Sequence, residues 1–371
     1  MNEFKTIPKH LMFPSSLLFF VITTLQVGVG ITNFPRILFI DTGQDSWISV
    51  ILAGLLTHIT LFIIVRILSR YDQQDLYDIH KILFGKKISV IVNGCIIVYL
   101  ISSALSILLG YFEIIRAFLF EDAPMWLVIT VMITLTIYAV FGGIRVIVGV
   151  AFVSFLLTTW LLPVMVQSIE YFDYLHFFPV LEANPKELAL GTYHMTFALT
   201  GFEILYFFYP YAQDKRKAGI YAQLGALCTN LIYLYVMVLN LGFYSNQQLE
   251  KTLWPSLSLF KVIRFPFLEQ FEVLIVSLFM LVILPNFTTL FWSASKGMKK
   301  LLPVRQKTGI FICAFTIIIA AFFFNTSVQI NSYTTWFSKI AFYFIYIYPL
   351  FLFLFSIVFE KIRNKKKVTV T

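Results

Sequence analysis

Apolar positions along the chain gather into runs divided by short polar or basic stretches. The runs lie at 11–39, 46–66, 88–117, 125–141, 146–166, 188–211, 218–243, 271–293, 309–324 and 336–359. Each is near the roughly 20 apolar residues that a bilayer core demands. The third is longer, which predicts a tilted helix. The pattern predicts an all-α polytopic membrane protein of about ten transmembrane helices, a single integral membrane domain over 1–371. Only Gly142-Gly143-Ile144-Arg145 separates the fourth run from the fifth. The first run follows Lys5 and Lys9 and has the outline of a secretory signal. It is too long for one, lacks a small-x-small cleavage site, and carries Gln26 and Asn33, so it reads as a retained span.

Two runs carry flaws near their centres. The first contains Gln26-Val27-Gly28-Val29-Gly30, followed by Pro35, and the sixth contains Thr200-Gly201-Phe202-Glu203. Glycine weakens a helix, and an acid at the bilayer midplane costs about 2.5–3.5 kcal/mol on insertion scales. Such spans persist where the broken backbone faces protein or a water-lined cavity. Ten spans divide into two sets of five, 1–170 and 188–360, with a basic tail at 361–371. Because five is odd, the second set runs opposite to the first, and the interrupted helices open each set. Paired interruptions at corresponding positions point to a midplane binding site of transporter type. Freed N–H groups at one half-helix and C=O groups at the other suit a zwitterion, its amine near carbonyls or an acid.

The candidate ligand-binding residues are Gln26, Gly28, Gly30, Thr200, Gly201, Phe202, Glu203, Asn286 and Thr288. Each has a plainer reading. Glu203 either meets the ligand amine or a coupling proton, or hydrogen-bonds across its own helix break. The glycines either expose backbone to a ligand or permit close helix packing. Asn286 and Thr288, beside Pro285, serve helix–helix hydrogen bonding equally well, and Phe202 and Tyr206 either cap the ligand or, as one aromatic pair among many, pack the bundle. Glu113 and Arg116 read as an i,i+3 ion pair at a helix end. His58 and His194 lack partners at metal-ligand spacing and read as structural.

Charge sets the orientation. With the N-terminus inside, 21 of the 28 Lys and Arg fall on inner segments, which places both ends in the cytoplasm. The net charge of +9 therefore follows the membrane sides and does not indicate nucleic acid. Only 13% of residues are charged and the mean hydropathy is +0.84. The three cysteines lie in apolar runs without C-x-x-C spacing, which excludes disulfide and zinc frameworks. No cofactor, phosphate loop or catalytic constellation is expected, and the chain does not read as an enzyme. Two loops read as more than connectors: an amphipathic helix within 69–87, and an outer excursion at 244–270 with Trp254-Pro255 and Phe265-Pro266-Phe267, suited to an interface belt or a lid.

The ordered set Gly28-Val29-Gly30-Ile31-Thr32-Asn33-Phe34-Pro35-Arg36, Thr200-Gly201-Phe202-Glu203, Tyr209-Pro210 with its basic cluster, and Trp254-Pro255-Ser256-Leu257-Ser258-Leu259-Phe260 is distinctive. It resembles the B subunit of bacterial spore germinant receptors, a branch of the amino acid–polyamine–organocation transporter superfamily, over essentially the whole chain. The family's Glu-Arg-Phe-Glu stands here as Glu269-Gln270-Phe271-Glu272, and the eighth span carries Pro285-Asn286. The resemblance implies a LeuT-like 5+5 inverted repeat in the spore inner membrane, its termini on the spore-core side. It also implies partner A and C subunits and a small nutrient, amino acid or sugar, whose binding triggers germination with ion and dipicolinate release. The rival readings are an autonomous amino-acid permease, proton-coupled through Glu203, and a non-binding scaffold that docks partners through 69–87 and 244–270.

Overall fold

In lipid every backbone polar group needs a partner within its own segment, so apolar runs of this length fold as helices. The computed structural model describes residues 7–71, 73–263 and 271–368, with side chains to 362. The first run forms α1 (Leu17–Gln26), a 3-10 turn (Val29–Thr32) and α2 (Phe34–Thr42). Then follow α3 (Ser46–Tyr71) and α4 (Leu76–Phe118). Asp75 caps α4 by accepting from Asp78 N, and Gly85, at φ +74°, divides the expected amphipathic helix from the span. Gly143, at φ +81°, likewise separates α5 (Met125–Phe141) from α6 (Ile144–Thr159). The four residues between the fourth and fifth runs therefore suffice for a turn. After α7 (Leu161–Met165), the two carboxylate oxygens of Asp45 accept from Leu181 N and Ala183 N and pin the following loop.

The sixth run forms α8 (Pro185–Ala198), opened by an Asn184–Glu187 capping box, and α9 (Leu205–Phe208) beyond a break. Then come α10 (Lys215–Phe243), the short α11 (Asn246–Lys251) and α12 (Pro255–Ser258), and α13 (Phe271–Leu301). Next are α14 (Gln306–Ala321), α15 (Ser327–Phe342), a π-helical turn (Tyr343–Ile347) and α16 (Tyr348–Val368). Phe265-Pro266-Phe267 and Glu269-Gln270 lie outside the described residues, as do Lys5 and the side chains of the basic tail from residue 363 onward. Each expected span finds its helix. The last begins earlier than hydropathy predicts, at Ser327.

Among the described residues six helices are long and apolar enough to cross a membrane, with α1, α5 and α14 shorter and apolar. Apolar side chains such as Ile91, Val98 and Phe315 point outward. The chain is an integral membrane protein. Inside, α13 packs against α4, α14, α6 and α5, while α1 lies on α10 and α6, and α8 lies on α3 and α2.

One end of the bundle is sealed. Phe13 bridges to Ala212 through Phe13 N to Tyr211 O and Gln213 N to Phe13 O, both 3.0 Å. The Phe13, Phe208, Trp292 and Tyr211 rings pack in series behind it, tilted or edge to face. Asp75 is 2% exposed and receives the ammonium groups of Lys296 and Lys300, each at 2.7 Å. Burial alone would raise its pKa, but the two ammonium groups outweigh that and hold the carboxyl well below the usual carboxylate range.

Candidate functional site

At the first break the chain runs extended through Gly28 before turning again at Val29. At the second, Gly201 adopts φ +116°, a conformation L side chains rarely take. A Cβ on Gly201 would also stand 2.5 Å from Leu25 O, so this glycine fixes both the turn and the contact between breaks. The Gln26 side chain spans the same contact, Nε2 donating to Leu199 O at 2.9 Å. Between them stands the Tyr233 hydroxyl, 3.0 Å from Gln26 O and 2.9 Å from Ala198 O.

Beside this junction lies a cavity of about 690 Å³, within the range of small-molecule sites. The first span contributes to its wall only from Leu25 onward, so the cavity and the Phe13 seal lie on opposite sides of the break. It opens where Leu253 and Lys339 are exposed. Of the expected residues, Gln26, Gly28, Gly30, Thr200 and Asn286 line it. Gly28 has room: a Cβ there meets nothing nearer than Asn286 Nδ2 at 4.0 Å. Gly30 does not, since a Cβ would meet Ala198 Cα at 3.0 Å. Asn286 Nδ2 donates to Val282 O at 3.1 Å, with Thr24 O at 3.4 Å. Gln26 keeps one buried oxygen, Oε1, without a partner.

The other expected residues stand off the wall. Glu203 is 4% exposed and spends both oxygens on structure, Oε2 accepting from Gly201 N at 2.7 Å and Oε1 from Tyr99 OH at 2.9 Å. Its carboxyl caps the break it belongs to. Gly201 packs on Leu25, and Phe202 is fully buried with its ring centroid 5.7 Å from that of Tyr346. Thr288 is buried and donates to Pro285 O, a local helix bond beside the proline. Freed main-chain groups at the second break are therefore taken by Glu203, Gln26 and Tyr233, where the sequence suggested a ligand would take them.

Sequence reasoning missed three parts of the wall. On α4 a stripe of Tyr99, Ser103, Ser106, Gly110 and Glu113 recurs every three or four residues along one face. On α15 Ser327, Asn331, Thr334 and Ser338 do the same, and Tyr333 OH ties α15 to Ser102 O of α4 at 3.0 Å. His194 also lines the cavity and is not without a partner: its Nδ1 stands 2.6 Å from Asp41 Oδ2, joining α8 to α2. Both stripes were visible as polar residues at helical spacing. The histidine pair spans 153 positions and left no local signal. From the outer excursion, Leu253 and Trp254 reach the wall. Among the described residues no group of three metal-ligating side chains forms.

Solved structures share this architecture. Mhp1, a nucleobase-cation-symport-1 family transporter in a closed conformation with bromovinylhydantoin bound, superposes with TM-score 0.64 at 10% identity, over 91% of this chain and 77% of its own. A Na+-coupled sialic acid symporter, in a substrate-bound outward-open state, gives 0.67 at 12% identity, over 91% and 79%. At such identities the likeness shows the fold alone, that of LeuT-type transporters. Sequence relatives are nearer. Spore germination protein GerQB of Bacillus cereus is 33% identical over 97% of this chain and all of its own length. Spore germination protein A2 of Bacillus subtilis is 23% identical over 93% and 95%. The family model described as spore germination protein matches residues 13–333. That match runs from the sealing Phe13 through both breaks and on into the polar stripe of α15, and the chain therefore belongs to the spore germination protein family.

Proposed function

We propose that this chain is the nutrient-binding membrane subunit of a spore germinant receptor. A small polar nutrient, of the amino acid or sugar class, enters the cavity beside the two helix breaks, and its occupancy triggers germination. The observation that carries this reading is the cavity itself, about 690 Å³, walled by Gln26, Gly28, Gly30, Thr200 and Asn286 next to the junction of the breaks. The buried Gln26 Oε1 favours a ligand that brings hydrogen-bond donors. Glu203 supports the site from behind, and the ligand does not touch it. Binding biases the bundle only through a difference in affinity between its arrangements, which the partner A and C subunits then read. The protein works in the spore inner membrane with both termini on the core side, and its halves 1–170 and 188–360 act as oppositely oriented repeats around the site.

The test is Gly28→Leu, because a Cβ there meets no atom nearer than Asn286 Nδ2 at 4.0 Å and the larger side chain enters the cavity that Gly28 lines. In spores that still assemble the receptor complex, the nutrient dose–response moves by about tenfold or more. An unchanged response removes the cavity as the site.

A second reading, an autonomous permease, is favoured by one feature: the cavity opens at one end while the Phe13–Ala212 bridge closes the other, as alternating access requires. Labelled-solute uptake by the purified chain alone in proteoliposomes separates the two. Absence of flux under an imposed gradient leaves the receptor reading.

A further inference from the structure

Glu113 and Arg116 are spaced for an ion pair on α4, but the structure spends them separately. The Arg116 guanidinium donates from Nε to Glu121 O at 3.1 Å and lies 5.8 Å from the Phe112 ring centroid. Glu113 reaches the cavity wall instead, and among the described residues its buried Oε1 has no hydrogen-bond partner. A buried acceptor left unpaired is costly, and the half-buried Glu113 side chain places this one beside the cavity. Among the described residues no other polar group of the wall bonds to that oxygen, and the exposed Lys339 is not paired with it. Arg36 Nε is engaged with Glu250 O at 2.6 Å, and His194 with Asp41. Glu203, the acid that the sequence offered for a ligand cation, is already satisfied by Gly201 and Tyr99.

The position of Glu113 gives the orphan oxygen a use. Gly110, one turn earlier on the same face, is where α4 meets the first break, a Cβ there standing 2.8 Å from Val29 Cγ1. The carboxylate therefore stands about 5 Å farther along α4 than that contact, on the cavity side. We propose that Glu113 is the specificity-determining residue of the cavity, receiving the cationic amino group of the nutrient, while the junction of the breaks holds the rest of the molecule. This rests on the cavity being the ligand site. It moves recognition of positive charge from the sixth span to the third.

The experiment titrates the full chain in lipid nanodiscs, by calorimetry, with the free amino acids, their N-acetyl counterparts and D-glucose. For wild type, amino-bearing probes bind and their N-acetyl forms bind more weakly. Glu113→Gln, which keeps the side chain's size, weakens the amino-bearing probes by about ten- to hundredfold and leaves the N-acetyl forms within about twofold. Glu113→Asp retains the preference for the free amine. A merely structural role would weaken both forms together, and that result overturns the proposal. So does tight binding of D-glucose, or of N-acetyl forms, with no binding of any free amine. Gly28→Leu distinguishes the two levels of the argument: if it leaves binding of the best probe intact, the cavity reading itself fails, whatever Glu113 does.

Discussion

The two helix breaks read alike in the sequence and are used differently. The first is open: Gly28 faces space, and its neighbours Gln26 and Gly30 belong to the cavity wall. The second is closed: Gly201 is jammed against Leu25 O, and Glu203 caps the turn while holding Tyr99. A break is a supply of unpaired backbone groups, and what matters is which of them the protein has already paired. At the second break an acid two residues away takes the freed N–H, whereas at the first Gln26 O goes to Tyr233 and Gly28 O to Ile31 N, and what stays open is the space beside Gly28. The acid that looks most functional in the sequence is therefore the one that makes its own span structural.

Substitutions at the two breaks test this contrast. Gly201→Ala carries the largest expected effect. It combines a positive φ, costing about 1–2 kcal/mol, with a clash against backbone, about 1–3 kcal/mol more. The folded yield in detergent and the melting temperature both collapse. Glu203→Ala is of the same order, uncovering Gly201 N and Tyr99 OH, at about 1–3 kcal/mol for each buried group left unsatisfied. Thermal unfolding of the purified chain measures that loss. Gly28→Leu reverses the pattern, with stability within about 1 kcal/mol of wild type and the nutrient dose–response moved by about tenfold or more, because only the open break has room for a Cβ. Thr288→Val is the smallest: it removes a local helix bond, shifts stability by under about 1 kcal/mol, and leaves the dose–response alone. A large binding effect at Thr288, or none at Gly28, would erase the contrast.

The helices and both breaks were legible because hydropathy and glycine report on local chemistry. The placement of groups around the breaks was not. Glu203 and Tyr99 meet across 104 positions, and Gln26 finds Leu199 across 173. No local pattern carries such a contact. The start of the last span was concealed for a related reason: Ser327, Asn331 and Thr334 lower its hydropathy because they line the cavity. The residues that make α15 useful are the ones that hid it. Glu113 was misread because helical spacing to Arg116 is necessary for an ion pair but does not make one.

The lysine clamp on Asp75 has a bearing on what can open the closed end. A carboxyl whose folded-state pKa is depressed contributes stability that is fully present above its unfolded value, about 4, and is lost only as pH falls through the folded value. Nothing in the neutral or mildly acidic range discharges it. Acidification within that range leaves the clamp in place, whereas any shift of α13 that moved Lys296 and Lys300 together would break it.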